Sequence, residues 1–120
     1  MAYTDIDKPN QYFNTKLYTG DGNDGRTVTG VGFQPDWVWI KNRDTTNWHI
    51  ISDSVRGGNN RLVTNRTDAE RSDQTWWLQT FDSDGFTVGI AGDTNGNGNN
   101  LVSWNWKAGG TASSNTDGSI

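Results

Sequence analysis

The residues with the most evident chemistry are Asp93-x-Asn95-x-Asn97-x-Asn99, where side-chain oxygens recur at alternate positions with glycine between them. This is the pattern of the first half of a calcium loop, in which one short segment gives a hard cation several oxygen ligands. The bidentate Glu that closes such a loop is missing, because the twelfth position from Asp93 is Trp104. Asn and Gly also serve tight turns, since both tolerate positive φ. The turn reading stands ahead of calcium at Asp93, Asn95 and Asn97, and no cofactor is expected. Asp21, Asn23 and Asp24 carry a shorter version of the same signal.

Two further constellations invite catalysis and fall short of it. His49 is the only histidine and lies in the β-rich run Trp48-His49-Ile50-Ile51-Ser52. A catalytic base needs a nucleophile and an orienting acid, which strand position does not supply. Asp82 and Asp84 resemble the paired carboxylates of a glycosidase. They flank a turn before Gly85, where a hairpin uses such residues for structure alone. With no cysteine there is no thiolate nucleophile or thiolate metal site. An enzyme is not expected.

Binding is the better-supported chemistry. The adjacent indoles Trp76 and Trp77 face opposite ways in an extended chain, so one is free for an interface or for stacking on a sugar ring. Tyr12 and Phe13, at the end of a polar N-terminal segment, and Arg56, Asn59 and Asn60, in a Gly/Asn loop, complete the candidate ligand or interface residues.

The elements that position them are strands. Tryptophan recurs at every second position in Trp37-Val38-Trp39 and again in Trp104-Asn105-Trp106. A period of two places both indoles of each pair on one strand face. The expectation is that Trp37, Trp39, Trp104 and Trp106 fill a dry layer between two sheets. Only 31% of the 120 residues are hydrophobic, but 7 Trp, 4 Phe and 3 Tyr compensate, since each buried aromatic removes roughly 150–250 Å² from water. Strands are expected at Tyr12 to Thr19, Arg26 to Val31, Asp36 to Lys41, Trp48 to Ser52, Arg61 to Thr64, Trp76 to Phe81, Phe86 to Ile90 and Leu101 to Lys107. Gly, Asn and Asp clusters separate them, while 67–73 reads as a loop with one helical turn. The fold class is an all-β antiparallel β-sandwich, with a small barrel or a flattened jelly roll as the competing all-β solution. The organisation is an arm over 1–12, a sandwich over 13–108 and a linker-like tail over 109–120.

The net charge is −4, with acids and bases mixed and no basic run, so nucleic acid is not an expected partner. The acidic opening Met1-Ala2-Tyr3-Thr4-Asp5-Ile6-Asp7 is not a signal peptide, and no stretch approaches the ~20 apolar residues of a membrane helix. A soluble chain made in a cytoplasm is expected, with no membrane insertion.

Four blocks, GFQPDWVWIKNR (32–43), HIISDSVRGG (49–58), FDSDGFTVG (81–89) and VSWNWKAGG (102–110), resemble a module of virion surface proteins of tailed phages. The opening Met1 to Phe13 also resembles the start of such proteins. The resemblance covers roughly residues 1–118 and implies a jelly-roll or lectin-like β-sandwich and a non-enzymatic virion role: tail fibre, tail-associated protein or capsid-surface decoration. It implies a virion location, other virion proteins as partners, a homo-oligomer such as a trimer, and a host surface glycan as a further ligand. In similar proteins the tail from Lys107 leads into further domains, whereas this sequence stops at Ile120, which implies a fragment or a one-module decoration protein. Residues 1–13 are the expected anchor, because an extended arm can add hydrogen bonds to a neighbour's sheet edge. The loops at 21–25, 56–60 and 93–100 are the surface expected to meet a partner or a glycan. A carbohydrate-binding module is the alternative reading.

Overall fold

A computed structural model of the chain describes residues 8–72, 74–108, 114 and 117. The described residues hold eight strands: β1 Phe13–Thr19, β2 Arg26–Val28, β3 Trp37–Asn42, β4 Ile50–Asp53, β5 Leu62–Val63, β6 Leu78–Asp82, β7 Gly85–Val88 and β8 Asn100–Trp106. A 3-10 turn at Pro9–Gln11 precedes β1, and a four-residue helix, α1 Gly92–Asn95, precedes β8. Of the expected arm, residues 1–7 lie outside the described residues, as does most of the expected tail.

The strands form two antiparallel sheets, ordered β1-β8-β3-β4-β5 and β2-β7-β6. The all-β sandwich expected from the strand spacing is the fold observed. Val38, Ile40, Leu101 and Tyr18 of the larger sheet meet Val28, Leu78, Phe86 and Val88 of the smaller one. Val31 and Phe33, from the β2–β3 connection, close the same cluster. A satellite cluster gathers Ile50, Val63 and Trp77, with Trp48 and Ala91 packed on it.

One expectation is overturned. Trp37, Trp39, Trp104 and Trp106 do not fill the space between the sheets. They are only partly buried, while Val38 and Ile40 on the opposite side of β3 are fully buried. The reason is volume and register. β3 and β8 pair so that Trp37 faces Trp106 and Trp39 faces Trp104. Turned inward, two stacked indole pairs would overfill a gap of ~10 Å opposed by a sheet of only three strands. The inner face of β8 instead carries Leu101, Ser103 and Asn105, all buried and mostly small.

The remaining departures are local. Residues 67–73 form no helical turn among the described residues, and Arg71 instead makes an isolated bridge to Arg61. The 93–100 loop begins within α1, whose own Thr94 and Asn95 are buried. The hairpin at Asp82–Gly85 forms as its turn residues suggest.

Candidate functional site

The outer face of the larger sheet is an aromatic surface built from three adjacent strands. Side chains of odd-numbered β1 residues share a face with Trp104 and Trp106 of β8 and with Trp37 and Trp39 of β3, because each register pair projects to the same side. Trp106 thus lies between Phe13 and Trp37, and Trp104 between Thr15 and Trp39. Leu17, Val102 and Lys41 form the next row, with Ile51 and Asp53 flanking from β4. With strands ~4.8 Å apart, the face of five strands is about 20 Å across.

The rings touch one another at angles. Trp37 and Trp106 have centroids 4.3 Å apart at 62°, Trp39 and Trp104 5.2 Å apart at 47°, and Phe13 and Trp106 4.9 Å apart at 52°. Tilted and edge contacts suit the ring quadrupole and add about 0.5–1.5 kcal/mol per pair beyond burial. Packing among themselves keeps the indoles half-buried, but Phe13 remains 38% exposed and Leu17 58%.

Hydrogen bonds hold the frame of this face. Asp36 donates its N–H to the Trp106 carbonyl at 2.8 Å, and its carboxylate accepts from Ser54 Oγ at 3.0 Å and from Ala108 N–H at 2.7 Å. The nearby charges turn to other partners. Asp53 accepts from Arg56 Nε at 2.6 Å, and Lys41 Nζ donates to the Thr45 carbonyl at 2.8 Å. The indoles are therefore left as apolar and π surface, with these charges turned to other partners.

The chemically suggestive residues serve structure where they stand. Both Asp93 oxygens accept N–H donors, from Trp48 backbone at 2.8 Å and Trp77 Nε1 at 2.8 Å. Asn95 is buried; its Nδ2 donates to Asn23 O and Gly89 O at 2.9 Å each, and its Oδ1 accepts Asp21 N–H at 3.0 Å. Among the described residues no group of three or more His, Asp or Glu side chains is gathered for a metal. Asp82 accepts from Thr80 and Thr87 hydroxyls. Asp84 accepts the N–H groups of Gly32 at 2.7 Å and Gly30 at 3.0 Å, which hold its carboxyl below the usual carboxylate range. His49 donates its backbone N–H to Asn65 Oδ1.

The sequence-selected binding residues fall in three places. Phe13 joins the aromatic face, with Tyr12 beside it under Lys107. Trp76 is 53% exposed, whereas its neighbour Trp77 is buried in the satellite cluster. Arg56 pairs with Asp53 and Glu70, and Asn60 Nδ2 donates to the Arg56 carbonyl, which binds that loop together, with Asn59 O accepting from Gln74 N–H. Sequence reasoning missed that the four paired indoles lie outside. One signal for it was present: Lys41 shares the strand face of Trp37 and Trp39, while Val38 and Ile40 share the other.

The family model for DUF7483, described as a domain of unknown function, matches residues 8–120. The chain belongs to the DUF7483 family. No curated protein and no solved structure matches it. The match spans both sheets, so the aromatic face lies wholly within the DUF7483 domain.

Proposed function

We propose that this domain is a non-enzymatic virion structural module that works by association, burying the aromatic outer face of its larger sheet against another protein of the particle. The observation that carries the reading is the placement of Trp37, Trp39, Trp104, Trp106 and Phe13 on the solvent side of one sheet. Contiguous, half-buried aromatic surface on the solvent side of a sheet suits a protein interface, whose hot spots are enriched in Trp and Tyr. The setting comes from the four sequence blocks that resemble tailed-phage virion surface modules.

A sugar-binding role is the second reading, favoured by the exposed ring of Trp76. On the sheet face itself the rings are inclined to one another by 47–62° and offer no flat platform for successive sugars.

Imaging of intact virions at side-chain resolution tests the proposal. The expected result is Trp37, Trp39, Trp104 and Trp106 sealed against another chain, and a Trp37→Ser/Trp104→Ser variant that folds but is lost from particles. Rings left in solvent on the particle would sink the proposal. Glycan binding abolished by Trp76→Ala, with the particle position unaffected by the sheet variants, would establish the second reading.

A further inference from the structure

The solvent side of the larger sheet is uneven along its strands. Its rows, followed in register, run Phe13-Trp106-Trp37, then Thr15-Trp104-Trp39, then Leu17-Val102-Lys41, then Thr19-Asn100. The first two rows hold all the paired indoles and a phenyl ring, and the last two hold no ring. Lys41 does not raise the low end, because its Nζ donates to the Asn42 and Thr45 carbonyls. Leu17 is 58% exposed and Phe13 38%, so both ends of the face meet solvent.

This relief decides what can cover the face. A flat surface laid on it would rest on the rings and leave a gap over Leu17, Val102 and Lys41, and a gap of that kind forfeits contacts outright. A second copy laid the same way round would set indole on indole and Lys41 on Lys41. That overfills one end of the ~10 Å between packed sheets and empties the other. A second copy turned end for end fills both. The two-fold axis then runs across the strands, between the Trp104 row and the Val102 row. Trp104 covers Val102 of the other copy, Trp39 covers its Lys41, Thr15 its Leu17 and Trp106 its Asn100. The same contacts recur in reverse, which is the isologous form of a closed dimer.

Charge and area agree with this arrangement. Lys41 makes no ion pair among the described residues, and in the dimer its ammonium meets an indole face. Asp53, beside Trp37 at the high end, is already held by Arg56. Strands ~4.8 Å apart and rows ~7 Å apart make the face about 20 Å each way. With side-chain relief counted, two copies reach the ~1,200 Å² at which specific interfaces begin.

We propose that the occupant of the aromatic face is a second copy of this chain, turned end for end so that the indole rows of each copy rest on the Leu17-Val102-Lys41 and Thr19-Asn100 rows of the other. The inference rests on the reading of that face as an interface and names what covers it. Neither copy needs a third component, because each end of the face is the complement of the opposite end.

Sedimentation velocity of the full chain over a concentration series tests this by exchanging bulk between the two ends. The wild type is expected to dimerise. Val102→Trp sets an indole against Trp104 of the other copy, and Trp104→Val leaves a void over its Val102. Alone, each is expected to associate at least about tenfold more weakly. Mixed, the two are expected to recover, because the pair keeps one native Trp104–Val102 contact and makes one with the bulk reversed. Circular dichroism checks the fold of both. Lys41→Glu, which leaves the ring packing alone, is expected to weaken association by about tenfold as well. A monomeric wild type, undiminished association of any of the three variants, or no recovery on mixing overturns the proposal. The aromatic-face reading survives those results and fails separately, if the rings stand in solvent on the particle. A monomer in solution whose rings are sealed in the virion by a different protein overturns the second copy alone.

Discussion

The Arg61 guanidinium lies 3.6 Å from the centroid of the Trp77 ring, and that ring donates its N–H to Asp93 Oδ2 at 2.8 Å. The carboxylate pulls on the indole proton and enriches the ring face that Arg61 covers. Arg61 is only 3% exposed and also lies 5.3 Å from the Trp48 centroid, with no carboxylate in ion-pair range among the described residues. Burial lowers its basicity, and the field of Asp93 works against that loss. The indole is thus its nearest electrostatic partner, a contact worth about 2 kcal/mol when desolvated.

Trp77 is accordingly a keystone and Trp76 is not. Trp77→Ala removes the Arg61 contact, the Asp93 bond and the centre of the satellite cluster, and is expected to cost about 3–5 kcal/mol. Trp76→Ala, at a ring 53% exposed, is expected to cost less than about 1 kcal/mol. Urea unfolding of the two variants reads both values, and equal costs would contradict the packing described.

Asn95 fastens the β1–β2 turn to the α1 turn through the side-chain bonds to Asp21, Asn23 and Gly89. Asn95→Ala strands several buried partners and is expected to lower stability by about 2–3 kcal/mol. Asn95→Asp sets a carboxylate against the Asn23 and Gly89 carbonyl oxygens and, at 3.2 Å from Nδ2, Asp21 Oδ1, and should be worse. Thermal melts with and without calcium separate this role from metal binding: a melting temperature unmoved by calcium is expected, and a rise abolished by Asp93→Ala would speak for a bound cation.

Acid should unfold the domain through its turn aspartates. Asp84, held down by the Gly32 and Gly30 N–H groups, Asp21, by the Asn23 N–H, and Asp68, by Arg66, all sit below the usual carboxylate range when folded. A carboxyl more acidic in the folded state adds stability that is present above the unfolded value and lost as pH falls through the folded one. The melting temperature is expected to be level above about pH 5 and to fall steeply below about pH 4. Asp84→Asn should melt lower at neutral pH and show a shallower acid limb.

Strand positions were legible because alternation and turn clusters are local. Trp37-Val38-Trp39 fixes a strand by itself, and Asp82 to Gly85 fixes a hairpin. Which face of β3 turns inward was only weakly marked in that strand, since Trp37/Trp39 and Val38/Ile40 are both apolar and the hint from Lys41 on the first face is offset by Asn42 on the second. The choice depends on Ser103 and Asn105 lying opposite in β8 and on how few strands the second sheet has, which are properties of the assembled fold. Trp77 escaped for a similar reason. Its partner Arg61 is distant in sequence, and an arginine in a polar stretch carries no mark of being buried.

The pairing of Phe13 with Trp106 gives the molecule a particular order of assembly. The strand that sits between β1 and β3 is β8, the last of the eight described strands. On a ribosome, therefore, the larger sheet stays split into unjoined halves until nearly every described residue has emerged, and its long-range loops close late and slowly. A growing chain would hold exposed β1 and β3 edges until β8 is made, and completion of that strand would at once unite the sheet and assemble the indole rows.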